Sequence, residues 1–288
     1  MKLADRAGTI IEQDTAQDRL LAWMYGHITG RLLLKPLVCP FVSKLGGKVL
    51  DTRLSAMAVR PFVKANHIDL TQCEKQKFNS YNDFFTRRLK AGARPVAMED
   101  ELLPSPCDGR LSVYQINDSL EFSVKHTRYT VTSLLKNKKL AGAYAGGFAW
   151  VFRLCVEDYH RYIYVDDGVT SSNYHIPGVF HTVNPVANDC YPIYKENTRE
   201  YSLLHSENFG TILMMEVGAL MVGKIENPRG AGSVKRGQEK GNFAFGGSTV
   251  ILLTQAGSVY PDRDILKNSR HHIETKVRQG EQVGSKKE

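Results

Sequence analysis

The chain is 288 residues long, carries 38 lysines and arginines against 30 aspartates and glutamates for a net charge of +8, and is 42% hydrophobic and 24% charged. This is ordinary globular composition, which excludes disordered and collagen-like chains. A chain of this size buries roughly 75% of the surface its unfolded form exposes, so neither disulfides nor a structural metal is needed to hold a core. No flexible Gly/Ser or Pro-rich linker divides it, which points to one main domain with a helical N-terminal extension.

The N-terminal residues MKLADRAGTIIEQDTAQDRLL lack the apolar run and small-residue cleavage site of a secretory signal, so export is not expected. No stretch reaches the roughly 18 apolar residues that a transmembrane helix requires. The nearest, Leu20 to Gly47, interleaves Trp23, Tyr25 and a Leu/Val/Phe set with Arg31, Lys35 and Lys44. One reading is a pair of amphipathic helices, broken near Pro36 and Pro40 and packed on the protein's own core. The other is an interfacial segment whose apolar face enters a bilayer while its cations meet anionic headgroups. The residues alone favour the core.

Helical spacing continues through Leu54 to Val63, and Tyr81 to Lys90 follows a cap at Asn79/Ser80, so the first 95 residues read as a helical region. Ala93 to Val96, ARPV, ends it. From Leu103 the texture changes to short Val/Ile/Tyr/Phe/Thr runs between turns. Strands are expected at Arg110 to Ile116, Phe148 to Val156, Tyr162 to Val165, Thr211 to Val222 and Ser248 to Thr254, with a helix at Val131 to Leu140. From about Gly284 the sequence reads as a frayed polar tail. Cys39, Cys73, Cys107, Cys155 and Cys190 are odd in number and widely spaced, with no C-x-x-C pair, which fits free thiols in a reducing compartment. The basic residues form no long block and accompany no nucleic-acid motif.

Four segments join reactive side chains to turn residues: SPCDG at Ser105 to Gly109, VEDYHR at Val156 to Arg161, IPGVFHTVNP at Ile176 to Pro185, and KGNFAFGGSTV at Lys240 to Val250. In the last, two glycines free the backbone just before a hydroxyl residue that opens an apolar strand. Alone, such a tripeptide is a hairpin turn. A serine needs a base to take its proton, and the base needs orienting; Ser248, His160 and Asp108 supply those types. Each also has a plain structural reading, Asp108 as the first residue of an Asp-Gly turn and His160 as a satisfied core histidine. The nucleophile elbow, the H-E-x-x-H metal motif, the Walker phosphate loop and the dinucleotide fingerprint are all missing.

Taken together the segments resemble the phosphatidylserine decarboxylases, pyruvoyl-dependent enzymes. The resemblance runs through LLKPLVCPFVSKLGG, FNSYNDFFTRRLKAGARPV, PCDG, DYHR, GVFHTVNP, NTREYSLL, VGKI and KGNFAFGGSTV, and DYHR with GGST at this separation is specific. It implies an α+β fold, with a helical, membrane-associating region at 1–95 and a β-rich core at 96–288 built from both products of a self-cleavage. The cut falls between Gly247 and Ser248, giving a β chain of 1–247 and an α chain of 248–288. His160, assisted by Asp108, takes the Ser248 proton; the oxygen attacks the Gly247 carbonyl; elimination and hydrolysis convert residue 248 into a covalent pyruvoyl group. That ketone captures the amine of a serine headgroup and accepts the electrons freed when carbon dioxide leaves, and His160 reprotonates the product. No metal is implied.

Many members carry a second histidine three residues after that of DYHR; this chain has Ile163. His181 is the substitute candidate, His175 a weaker one. Arg161 and Lys224 are candidates for a phosphate oxygen or for plain solvation. The implied partners are phosphatidylserine in a membrane, an anionic membrane surface on the cytoplasmic side and the two cleaved chains of the protein itself; the family also admits a homodimer. A diacyl substrate leaves a bilayer at a cost of roughly 0.8 kcal/mol per methylene, which tips Leu20 to Gly47 toward the interfacial reading. Two other readings stay open: the same chemistry on a soluble amino acid, and a non-enzymatic membrane-binding module with an intact GGST loop.

Overall fold

The computed structural model describes residues 2–12, 16–124, 127–188, 190–219, 224–244, 246 and 248–286. Helices dominate the N-terminal part: α1 (Ala16–Gly26), α2 (Ile28–Leu37), α3 (Pro40–Leu50), α4 (Val59–Ala65) and α5 (Tyr81–Phe85). Pro40 opens α3, where a missing amide hydrogen costs nothing. The expected helix from Tyr81 to Lys90 is only five residues long, capped by the Ser80 hydroxyl, which accepts from the Asp83 amide at 3.0 Å. The expected helix from Val131 to Leu140 is two, Val131–Leu135 and Lys138–Ala141, because Lys136 turns left-handed (φ 50°) and Asn137 caps the second.

The rest is built on an 11-stranded sheet. Its centre runs in the order Arg199–Ser206, Gly210–Val217, Ser248–Thr254, Phe148–Leu154, Gly109–Gln115 and Glu274–Val277, each antiparallel to its neighbours. Ser248–Thr254 lies between two partners and all of it is buried, as its unbroken β-branched and leucine run dictates. A three-stranded sheet of Ile225–Glu226, Glu239–Phe243 and Arg161–Ile163 carries the segments on either side of the reactive residues.

Several expectations are corrected. Beside the helices of the first 95 residues, two short strands not foreseen, Lys2–Ala4 and Ile10–Glu12, extend the large sheet, the former parallel to Glu274–Val277. The strand from Thr211 stops at Val217; Leu220 to Val222 fall outside the described residues. The residues after Gly284 do not begin as a frayed tail, since Gln282–Ser285 pairs with Leu102–Pro104 and Tyr260–Pro261. Gly284 packs so closely that a Cβ there would lie 2.7 Å from the Trp150 ring.

The main core fills both faces of the sheet, with Trp150, Phe152, Val250 and Leu252 on one and Val151 and Ile251 on the other, and each large side chain contributes roughly 1.5–3 kcal/mol. A second cluster, Val59, Tyr81, Phe84 and Phe85, lies under the helices. The segment from Leu20 to Gly47 serves two surfaces: Leu21, Tyr25 and Leu34 are buried, whereas Leu20, Trp23, Ile28, Leu32, Leu33, Phe41 and Leu45 are exposed. Among the described residues no helix is long and apolar enough to cross a membrane. All five cysteines are free thiols.

Candidate active site

Ser248 and Leu154 face each other in the sheet, where the strand Phe148–Leu154 ends. Just beyond, the chain reverses through a turn in which the Asp158 amide donates to the Cys155 carbonyl at 2.9 Å and the Cys155 amide donates to Asp158 Oδ2 at 2.7 Å. The reversal returns His160 over the strand it has just left. His160 Nδ1 lies 3.1 Å from Ser248 Oγ, and both side chains are fully buried.

The other ring nitrogen fixes the tautomer. His160 Nε2 lies 2.8 Å from the Cys155 carbonyl oxygen, which can only accept, so Nε2 carries the hydrogen and Nδ1 presents a lone pair to the serine hydroxyl. Burial and the Arg87 guanidinium push the His160 pKa down to about 3, so the imidazole is neutral at physiological pH. The Phe85 ring stacks over it at 4.0 Å between centroids and stops it rotating. A neutral, oriented imidazole against a buried hydroxyl is the arrangement that activates a serine oxygen.

Asp108 does not complete a triad. Its carboxylate takes two hydrogen bonds from Arg94, at 2.8 and 2.6 Å, and one from the Gln279 amide at 2.8 Å, and makes none to His160. The Gln279 side chain in turn donates to the Arg161 carbonyl at 2.8 Å, so Gln279 links Asp108 to the DYHR segment. The expected acid partner of the imidazole is replaced here by a backbone carbonyl. Gly247 lies outside the described residues; Gly246, at φ 121°, holds a backbone conformation that glycine alone tolerates easily.

His181 is not brought to the serine either. Its Nδ1 lies 3.3 Å from the Tyr25 hydroxyl, its Nε2 lies 3.6 Å from Glu196, and its ring stacks on Tyr191 at 4.9 Å. It seats α1 on the sheet domain. His175 is exposed and 3.3 Å from Glu200. Arg161 is engaged by Glu239 at 2.8 Å and by the Thr86 and Arg87 carbonyls, and Lys224 is exposed and paired with Glu226 at 2.6 Å. Ile163 is buried, its amide donating to the Pro106 carbonyl at 2.9 Å.

The residue reading missed three features. Arg87 and Phe85, in FFTRRLK, meet His160 across the chain, and only the pairing of an aromatic with an arginine after a five-residue helix hinted at it. Asp158, of DYHR, is pushed up to about 7, first by burial and then by Glu157. Lys240 and Glu216 form a fully buried pair at 2.8 Å, and Glu216 lies opposite Val250, on the sheet face that Ser248 shares. Burial pushes the Glu216 carboxyl up against the pull of Lys240.

Comparison with known proteins agrees with this geometry. Residues 81–285 match the family described as Phosphatidylserine decarboxylase. A protein of Clostridium acetobutylicum named phosphatidylserine decarboxylase proenzyme 2 is 42% identical over 92% of this chain and 91% of its own length. Proteins of Clostridium botulinum and Clostridium beijerinckii named phosphatidylserine decarboxylase proenzyme are 40% and 38% identical, each over 96% of this chain and 95% of their own length. With the buried serine, its histidine and the matched span all in one domain, the chain belongs to the phosphatidylserine decarboxylase family.

Proposed function

We propose that the protein decarboxylates phosphatidylserine to phosphatidylethanolamine after cutting itself between Gly247 and Ser248, residue 248 becoming the pyruvoyl group. The observation that carries this reading is the hydrogen bond from Ser248 Oγ to an imidazole nitrogen whose lone pair is fixed by the Cys155 carbonyl. The relatives' names support processing, since each is called a proenzyme.

His160 Nδ1 takes the hydroxyl proton, and the serine oxygen attacks the carbonyl carbon of residue 247. The imidazolium returns that proton to the departing amide nitrogen, and the peptide bond becomes an ester. Loss of the Cα proton of residue 248 and departure of the Gly247 carboxylate from its Cβ leave dehydroalanine; water then replaces the nitrogen, which leaves as ammonia. The residues present suit the group formed, because residue 248 is paired with Leu154 on one side and the next residue, Thr249, with Val217 on the other. A pyruvoyl group supplies the electrophilic carbonyl that takes up the substrate amine and the electrons left by departing carbon dioxide. His160, enclosed by Phe85, keeps its hydrogen on Nε2 and presents the Nδ1 lone pair next to the carbon that was the serine Cβ, so that Nδ1 takes up a proton there and gives it back.

The substrate arrives from a membrane surface on the cytoplasmic side, where free thiols survive. Exposed Ile28, Leu32, Leu33, Phe41, Leu45, Val49, Leu54 and Met57 and the cations Arg31, Lys35, Lys48 and Arg53 give α2, α3 and the turn after them an interfacial character. This region abuts the site: Asn82 of α5 donates to Asp51 at 2.7 Å, the Tyr81 amide donates to Ser55 at 2.8 Å, and α5 leads into Phe85 on His160. Carbon dioxide release from phosphatidylserine vesicles, compared with free serine and other soluble amino acids, tests the reading. Release from the lipid alone supports it; equal turnover of a soluble amino acid overturns the lipid assignment.

A further inference from the structure

Arg87 is buried, yet among the described residues no carboxylate pairs with it. Of the other cations buried around the sheet, Arg153 is neutralised by Glu274, Arg236 by Asp166 and Lys240 by Glu216, whereas Arg199, like Arg87, binds only carbonyls among the described residues. Arg87 Nη2 donates instead to the carbonyl oxygens of Glu157, at 3.2 Å, and Asp158, at 3.1 Å, and its guanidinium lies over the Phe84 ring at 4.9 Å. Its Nε is buried without a partner. Arg161 returns the grip, donating from Nε and Nη2 to the Thr86 carbonyl, at 3.1 and 2.8 Å, and from Nε to the Arg87 carbonyl at 3.3 Å. Arg161 thus holds the backbone of Arg87 while Arg87 holds the carbonyls of Glu157 and Asp158, and His160 follows them in the same turn.

Burying a cation without an anion is unfavourable, so a site that keeps one gains from what it holds. We propose that Arg87 is the positioning residue of this site: it fixes the Glu157 and Asp158 carbonyls that lead into His160 and so aims Nδ1 at the Ser248 hydroxyl. This rests on the base role given to His160 above. The charged and titratable groups around Arg87 and the DYHR turn are the Cys73 thiol, Cys155, Glu157, Asp158 and Tyr159, Asp108 held by Arg94, and Arg161 held by Glu239. Burial does most to keep the imidazole from taking a proton, and the Arg87 charge adds to it.

The test follows self-cleavage of the full chain as it is made in a cell-free translation system, between pH 5 and 8, for the wild type, Arg87→Lys, Arg87→Met and Arg199→Met. Arg199 is the control, a fully buried arginine that also binds only carbonyls, those of Ser133, Leu134 and Asn197. A misplaced base costs roughly 10- to 100-fold in rate. Arg87→Met is expected to cut at least tenfold more slowly and to lose further rate toward pH 5, because the imidazole becomes easier to protonate. Arg87→Lys keeps the wild-type pH profile at a reduced rate, and Arg199→Met cuts at nearly the wild-type rate. A folded Arg87→Met chain that cuts with wild-type rate and pH profile overturns the proposal, as does Arg199→Met slowing the cut equally. A wild-type chain that never cuts overturns the functional reading as well, so the two failures are distinguishable.

Discussion

Ser248 stands opposite Leu154 in the sheet, at the point where the Leu154 strand ends and the chain turns back toward His160. The nucleophile therefore opens a strand paired on both sides with residues that precede the cut. Residues after Ser248 have further anchors, with Thr275 opposite Leu111 and Gln282 opposite Pro104. The proposed cut would break one peptide bond and none of these ladders. The fragments are expected to separate under denaturing electrophoresis and to co-elute in native gel filtration; elution of a free α chain without denaturant would contradict the topology.

The pH dependence of stability follows from His160. Its folded pKa, about 3, lies below the unfolded value near 6.5, so between these the unfolded chain binds more protons and stability falls as the pH drops. From pH 6.5 to 5 the loss is about 2 kcal/mol, at 1.36 kcal/mol per unit. Asp158 works in the opposite direction: burial raises its pKa to about 7, so its contribution falls as the pH rises from about 4 to 7. Urea melts on the uncut Ser248→Ala chain and on Ser248→Ala/His160→Gln measure the difference. The double variant is expected to lose less stability on acidification; an unchanged acid loss would mean that His160 is not buried neutral.

Asp108 is bound to Arg94 and Gln279 and not to the imidazole, so its removal acts first on stability. Breaking a largely buried ion pair costs roughly 3–5 kcal/mol. Asp108→Asn is expected to melt earlier and to cut with the wild-type pH profile. A loss of cutting far larger than the loss of stability, at a temperature where the variant is folded, would place the carboxylate on the histidine.

Ile28, Leu32 and Leu33 are exposed and make no part of the buried core. Changing all three to serine is expected to leave self-cleavage and thermal stability unchanged while lowering vesicle binding about tenfold or more, at roughly 1.5–3 kcal/mol per fully buried side chain. Sedimentation with vesicles containing phosphatidylserine measures it. Undiminished binding would move the membrane contact elsewhere.

The strand from Ser248 was legible because an unbroken β-prone run after two glycines has few alternatives. His160 and Ser248 were legible through their motifs, and the structure joins them. The orienting partner was not, because a backbone carbonyl such as that of Cys155 leaves no residue-type signature. Asp108 drew attention as the nearest motif acid, but its Arg94 partner lies in ARPV, which reads only as a helix stop. Arg87 next to Arg88 looks like one solvated basic pair; tertiary packing buries the first and exposes the second. The closing strand was hidden because Gln282–Ser285 is polar and gains its place from Trp150 and Tyr260 across the chain.

The most direct test is intact mass and denaturing electrophoresis of the purified protein beside its Ser248→Ala variant, with a carbonyl-reactive probe on the small fragment. The expected result is a fragment of residues 248–288 that begins with a pyruvoyl group and takes the probe, with no such fragment from the variant. A single uncut wild-type chain in a folded preparation would contradict it.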